Sequence, residues 1–150
     1  MRVASAQLGA QLLGLGVAAR RGLPYDVRVM GMRGEVDEIG RDLWDKGTAL
    51  SAPITMLGTQ AVAIVLVATY PSANVRRAAA MALGVLGAVN VGGFLGERVV
   101  RERLRPGGWE PVETPVAVVG LGLSTAMAVL GLGRVARSSV VAHPAAASLC

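Results

Sequence analysis

The residue best suited to chemistry in this chain is Glu97, a carboxylate at the end of a glycine-rich apolar run. Arg98 follows it directly and Arg101 lies one helical turn further on. A carboxylate held in a membrane can carry a proton or bind a cationic substrate. The spacing to Arg101 also suits an ion pair on one helix face, and that structural role is the simpler expectation. Glu113 opens the next apolar run across a polar loop and joins the same group of candidates. Gln60 and Asn90 fall near the middle of apolar runs. Lipid cannot satisfy their amides, so both are expected to face other helices. Interhelical hydrogen bonding is the first expectation for them, and contact with a bound or transported small molecule is the alternative.

Other reactive constellations are weaker. Glu35, Asp37, Glu38, Asp42 and Asp45 could attract a hard cation. They lack the alternating order of a calcium loop, and Arg41 and Lys46 sit among them. Asp37, Asp42 and Asp45 do not reproduce the aspartate spacing of CDP-alcohol phosphotransferases either, so a solvated helix face is expected. The only cysteine, Cys150, allows no intrachain disulfide and no CxxC site. The only histidine, His143, excludes a bis-histidine haem within one chain. No nucleophile–base pair is recognisable, and no catalytic, cofactor-binding or metal-binding residue is assigned.

The elements that must position these side chains are membrane helices. No formal charge occurs between Lys46 and Arg76, and hydrophobic residues make up 53% of the 150 against 17% charged. Aromatics contribute only 3%, so Ala, Val, Leu and Gly must fill the interior, as they do where helices pack closely in lipid. Apolar runs at 47–69, 78–100 and 115–133 each approach the roughly 20 residues that cross a bilayer core. A weaker run, 3–19, carries Gln7 and Gln11. It is expected as a retained helix buried in the bundle, with a cleaved signal peptide as the alternative. Polar loops occupy 20–46 and 101–114, and a small-residue tail follows from 134 to 150. Val36, Ile39 and Leu43 recur at helical spacing beside Trp44, which predicts a short interfacial amphipathic helix before the second span. The acid–base spacings Asp37–Arg41 and Asp42–Lys46 would support it.

The expected fold is therefore all-α: a single membrane domain over residues 1–150, a compact up-down bundle of four transmembrane helices. Arg98 and the loops 20–46 and 101–114 together carry ten of the basic residues, whereas Arg2, Arg76, Arg77, Arg134 and Arg137 fall at the opposite end. Basic residues in short loops mark the cytoplasmic side, which places both loops inside and both termini outside a bacterial cytoplasmic membrane. Trp44 and Trp109 would both anchor the cytoplasmic interface. Arg98, Arg101 and Arg105 could meet anionic headgroups there.

Small residues recur every four positions as Ala80, Gly84, Ala88, Gly92 and Gly96, and similar stripes mark the runs on either side. Flat faces of this kind let helices approach closely, inside the bundle or between copies. The net charge of +5 does not point to nucleic acid, because the arginines flank apolar runs and no aromatic platform accompanies them. The functional expectation is a non-enzymatic accessory subunit or scaffold. Its partners are the lipid bilayer and a second copy or another membrane protein. A small oligomeric transporter using Glu97, Gln60 and Asn90 is the alternative, and a membrane enzyme on a lipophilic substrate comes third.

Overall fold

The computed structural model describes residues 1–27 and 31–141, with side chains up to residue 133. Among the described residues the fold is all-α apart from one two-stranded ribbon. Helix α1 spans Arg2–Arg21 and stops at Gly22, whose left-handed φ of 62° lets its N–H close on the Ala18 carbonyl. Strands β1 (Asp26–Val27) and β2 (Met32–Arg33) pair antiparallel, Asp26 opposite Arg33. A 3-10 turn at Val36–Glu38 leads into the short helix α2, Ile39–Asp45. Then come α3 (Ile54–Thr69), α4 (Ala73–Gly96), α5 (Arg98–Arg103) and α6 (Glu113–Val141).

The long helices α1, α3, α4 and α6 alternate in direction and form a ring in which α6 touches α1 and α4, and α3 closes the circuit between them. Both polar connections therefore collect at one end, where they form a cap built from the ribbon, α2 and α5. The short turn at Tyr70–Ser72 lies at the opposite end with Arg2. The tightest contact is between α4 and α6. A Cβ on Gly84 would lie 2.8 Å from the Leu132 amide nitrogen, and one on Gly131 would overlap the Gly84 backbone. Only a backbone without side chains permits this approach.

The second apolar run differs from its expected form. Residues 47–53 are not helical: Gly47 has a φ of 83°, Thr48 and Ser51 form a β-bridge, and Pro53 caps α3. This segment is a plug of buried residues. Ala49 and Leu50 are almost wholly enclosed, and the Leu50 carbonyl lies against Gly14 of α1, where any Cβ would overlap it. Helix α3 is left with 16 residues, about 24 Å of rise, short of a ~30 Å hydrocarbon core. Among the described helices, α4 and the Glu113–Gly133 part of α6 are both long and apolar enough to cross a membrane. The third run also breaks earlier than expected. Helix α4 ends at Gly96, and Glu97 takes an extended conformation that starts α5 on a new axis. Residues 142–150, including His143 and Cys150, lie outside the described residues.

Candidate functional site

Two groups of polar side chains are enclosed by this frame. The first lies in the bundle core. Buried positions on α1 are Ala4, Gln7, Gln11, Gly14 and Ala18, spaced alternately three and four apart so that they share one face. Gln60 of α3 donates from Nε2 to the Gln7 Oε1 at 2.6 Å and to the Ala4 carbonyl at 2.9 Å. Gln7 in turn donates to Ser124 Oγ on α6 at 3.1 Å. Three helices are thus joined through one chain of hydrogen bonds. Gln11 accepts from the Ala52 amide at 2.9 Å and so holds the plug to α1, while its Nε2 is left without a partner. Asn90 is buried on α4, as expected. No side-chain hydrogen bond joins it to the Gln60 group among the described residues.

The second group lies under the cap. Glu97 is 3% exposed, and its carboxylate accepts from the Asp26 backbone amide at 3.1 and 3.3 Å. The ion pair expected with Arg101 does not form. Because Glu97 is extended rather than helical, its side chain turns toward the ribbon instead of along the α5 face. Burial pushes its pKa up to about 7; the Asp26 carboxylate adds to the rise, and the amide hydrogen bonds and Arg101 oppose it. The Tyr25 phenol is raised as well, first by burial and then by Glu97. Glu113 does not share this site. Its carboxylate binds Arg103 at 2.7 Å and Arg21 at 3.0 Å, closing α1, α5 and α6 together. Glu110 joins that network through Arg21 at 2.8 Å. Its pKa falls to about 2, chiefly because the Glu113 amide donates to it, then through Arg21.

The remaining candidates divide. Gly84 is at the α4–α6 contact, and Gly96 meets Val27. Ala88 and Gly92 are exposed, and a Cβ on Gly92 would meet nothing. The physical reason is angular: steps of four residues advance about 40° beyond a full turn, so a stripe read at that interval drifts off the contact. The face that does pack holds Leu83, Gly84, Gly87, Asn90 and Phe94. Arg98 pairs with Glu102 at 2.9 Å and Asp26 at 3.6 Å. Arg101 and Arg105 have no ion pair among the described residues, and Arg105 is exposed.

On α2, Asp42 is buried and pairs with Lys46 at 2.9 Å, so that position is not the solvated one expected. Arg41 pairs with Glu38 rather than Asp37. No group of three metal-ligating residues occurs among the described residues. Trp44 and Trp109 are both exposed.

Gln7, Gln11, Ser124, Arg21 and Arg103 complete these sites through contacts that were not expected from sequence. The signal for the first two was present: small residues and glutamines share the three-four spacing of one helix face. Comparison with models of known families, with curated proteins and with solved structures gives no match.

Proposed function

We propose that this chain is a small multi-pass membrane protein whose four long helices enter the bilayer and whose role is non-enzymatic, as an accessory subunit or scaffold. The observation that carries the membrane part is an inside-out distribution of polarity. The fully enclosed side chains of the bundle include Gln7, Gln11, Gln60 and Ser124, whereas Leu13, Val62 and Val129 are 68%, 59% and 65% exposed on its outer faces. In water this arrangement costs free energy twice, by desolvating amides and by wetting large apolar side chains. In lipid both costs vanish. Helix α1, shorter of apolar residues than the rest, is supported as a retained span by its hydrogen bonds to α3 and α6, and α3 by the buried plug that extends it. The cap then faces the cytoplasm, with Arg98, Arg101 and Arg105 at headgroup level.

The same geometry favours a structural role over transport. Gln60 is spent on Gln7 and Ala4, Glu113 on two arginines and Glu97 on the ribbon. These groups lock elements to one another rather than line a route. What remains free is the outward small-residue surface of α4 at Ala88 and Gly92, flat enough for another helix.

The test is native mass spectrometry of the protein released gently from its own membrane. A stoichiometric complex that Gly92→Leu dissolves while melting is unchanged supports the reading. A lone protein, indifferent to Gly92→Leu and showing Glu97-dependent flux in vesicles, replaces it with transport.

A further inference from the structure

At the end opposite the cap, the four long helices splay around a cleft of about 340 Å³. Its walls are Val3 of α1, Val67 of α3, Leu83 of α4, and Met127 and Leu130 of α6, with Arg2 at the mouth. The volume is at the small end of ligand sites, and the lining is mostly apolar. An apolar cleft alone selects nothing. The distribution of charge around it does.

All ten acidic residues of the chain fall between positions 26 and 45 or between 97 and 113, which are the cap and its connections. Among the described residues, the charged side chains toward the cleft end are Arg2, Arg76 and Arg77. Arg76 donates to the Tyr70 and Pro71 carbonyls at 3.1 Å and remains exposed. No ion pair neutralises Arg2, Arg76 or Arg77 among the described residues. A cleft that takes hydrocarbon, with Arg2 at its mouth and without an ion pair among the described residues, matches one class of ligand.

We infer that this cleft is a binding site for an anionic phospholipid, one acyl chain lying between α1, α3, α4 and α6 and the phosphate headgroup meeting Arg2. The inference rests on the membrane reading above. The acyl chain fills a space that packing leaves open, and the headgroup supplies the counter-charge that Arg2 lacks among the described residues. Preference for an anionic over a zwitterionic headgroup is about fivefold for each basic residue close to it, the ratio that corresponds to about 1 kcal/mol.

The full chain is placed in nanodiscs of equal parts phosphatidylcholine and phosphatidylglycerol, released, and weighed with its retained lipid by native mass spectrometry. The expected result is a retained phosphatidylglycerol, enriched about fivefold or more. Arg2→Gln keeps an occupied cleft but loses about fivefold of the preference. Val67→Trp fills the cleft and removes the lipid while the melting temperature holds. Equal retention of both lipids overturns the inference, as does undiminished retention in Val67→Trp or a second protein chain in place of lipid. An alkaline carbonate wash tests the underlying reading separately: release of the wild-type protein from membranes removes both, whereas retention with no bound lipid removes the lipid site alone.

Discussion

Replacing Gln60 with leucine tests whether the core hydrogen bonds hold the bundle together. The side chain is 1% exposed and donates twice, to Gln7 Oε1 and to the Ala4 carbonyl. Leucine has a similar volume, so the loss is polar rather than steric. An interhelical hydrogen bond in a membrane contributes about 0.6 kcal/mol on average and up to about 1.7. The acceptor left behind on Gln7 is enclosed, and an unsatisfied buried group costs about 1–3 kcal/mol. Gln60→Leu should therefore destabilise the bundle by about 2–3 kcal/mol. Gln7→Leu should cost a similar amount, because it removes one of the two acceptors of the Gln60 amide and releases Ser124. The double variant leaves neither amide stranded, so it should cost less than the sum by about 1–2 kcal/mol. Unfolding in mixed detergent micelles, followed by circular dichroism, measures all three. Costs that add without coupling would refute the claim that these side chains act as one unit.

Three more outcomes follow from the packing and the cap. Glu97, with a folded pKa of about 7 against an ordinary 4.5, holds its proton more tightly when folded. Its contribution to stability is complete below about pH 4.5 and is lost as pH rises through 7, so melting at pH 5 should exceed melting at pH 8. Glu97→Gln should flatten that difference, and a slope unchanged by the substitution would contradict the assignment. Gly131→Leu should destabilise by about 3 kcal/mol or more, since its Cβ would enter the Gly84 backbone, whereas Gly122→Leu, which meets nothing, should change melting little. Arg103→Gln should cost about 1 kcal/mol or less in thermal unfolding, because Arg103 is partly exposed and Arg21 still holds Glu113.

Much of the helical frame was legible because hydropathy and length carry it. The ends of α1 and the start of α6 lie close to the expected limits, although α6 continues eight residues into the expected tail, to Val141, and Gln60 and Asn90 are buried where lipid would exclude them. The plug was not legible. Residues 47–53 are as free of charge as the helix that follows, and hydropathy does not distinguish an extended buried strand from a helical turn. Gly47 and Pro53 marked the change in conformation, but only the enclosed pairing of Thr48 with Ser51 makes it tolerable. Glu97 was expected inside a helix running to residue 100 and was given the wrong partner, since an acid–base spacing of four is meaningful only where the helix continues through both residues. The Asp26 amide that receives it is 71 positions away, a distance that no local pattern reports.

The chain of hydrogen bonds from Gln60 through Gln7 to Ser124 also has a consequence for biogenesis. Helix α1 leaves the ribosome before the other three long helices, yet its glutamines find partners only on the plug, on α3 and, last of all, on α6. On the proposed membrane reading, α1 therefore carries unmet amides until α6 is made, held in lipid by little more than Leu8, Leu12, Leu13 and Leu15. The final helix acts as the latch of the assembly. A chain stopped at residue 112 should leave α1 open to protease digestion in microsomes, and the full chain should protect it; equal protection of the two would show that the first helix is secured without the last.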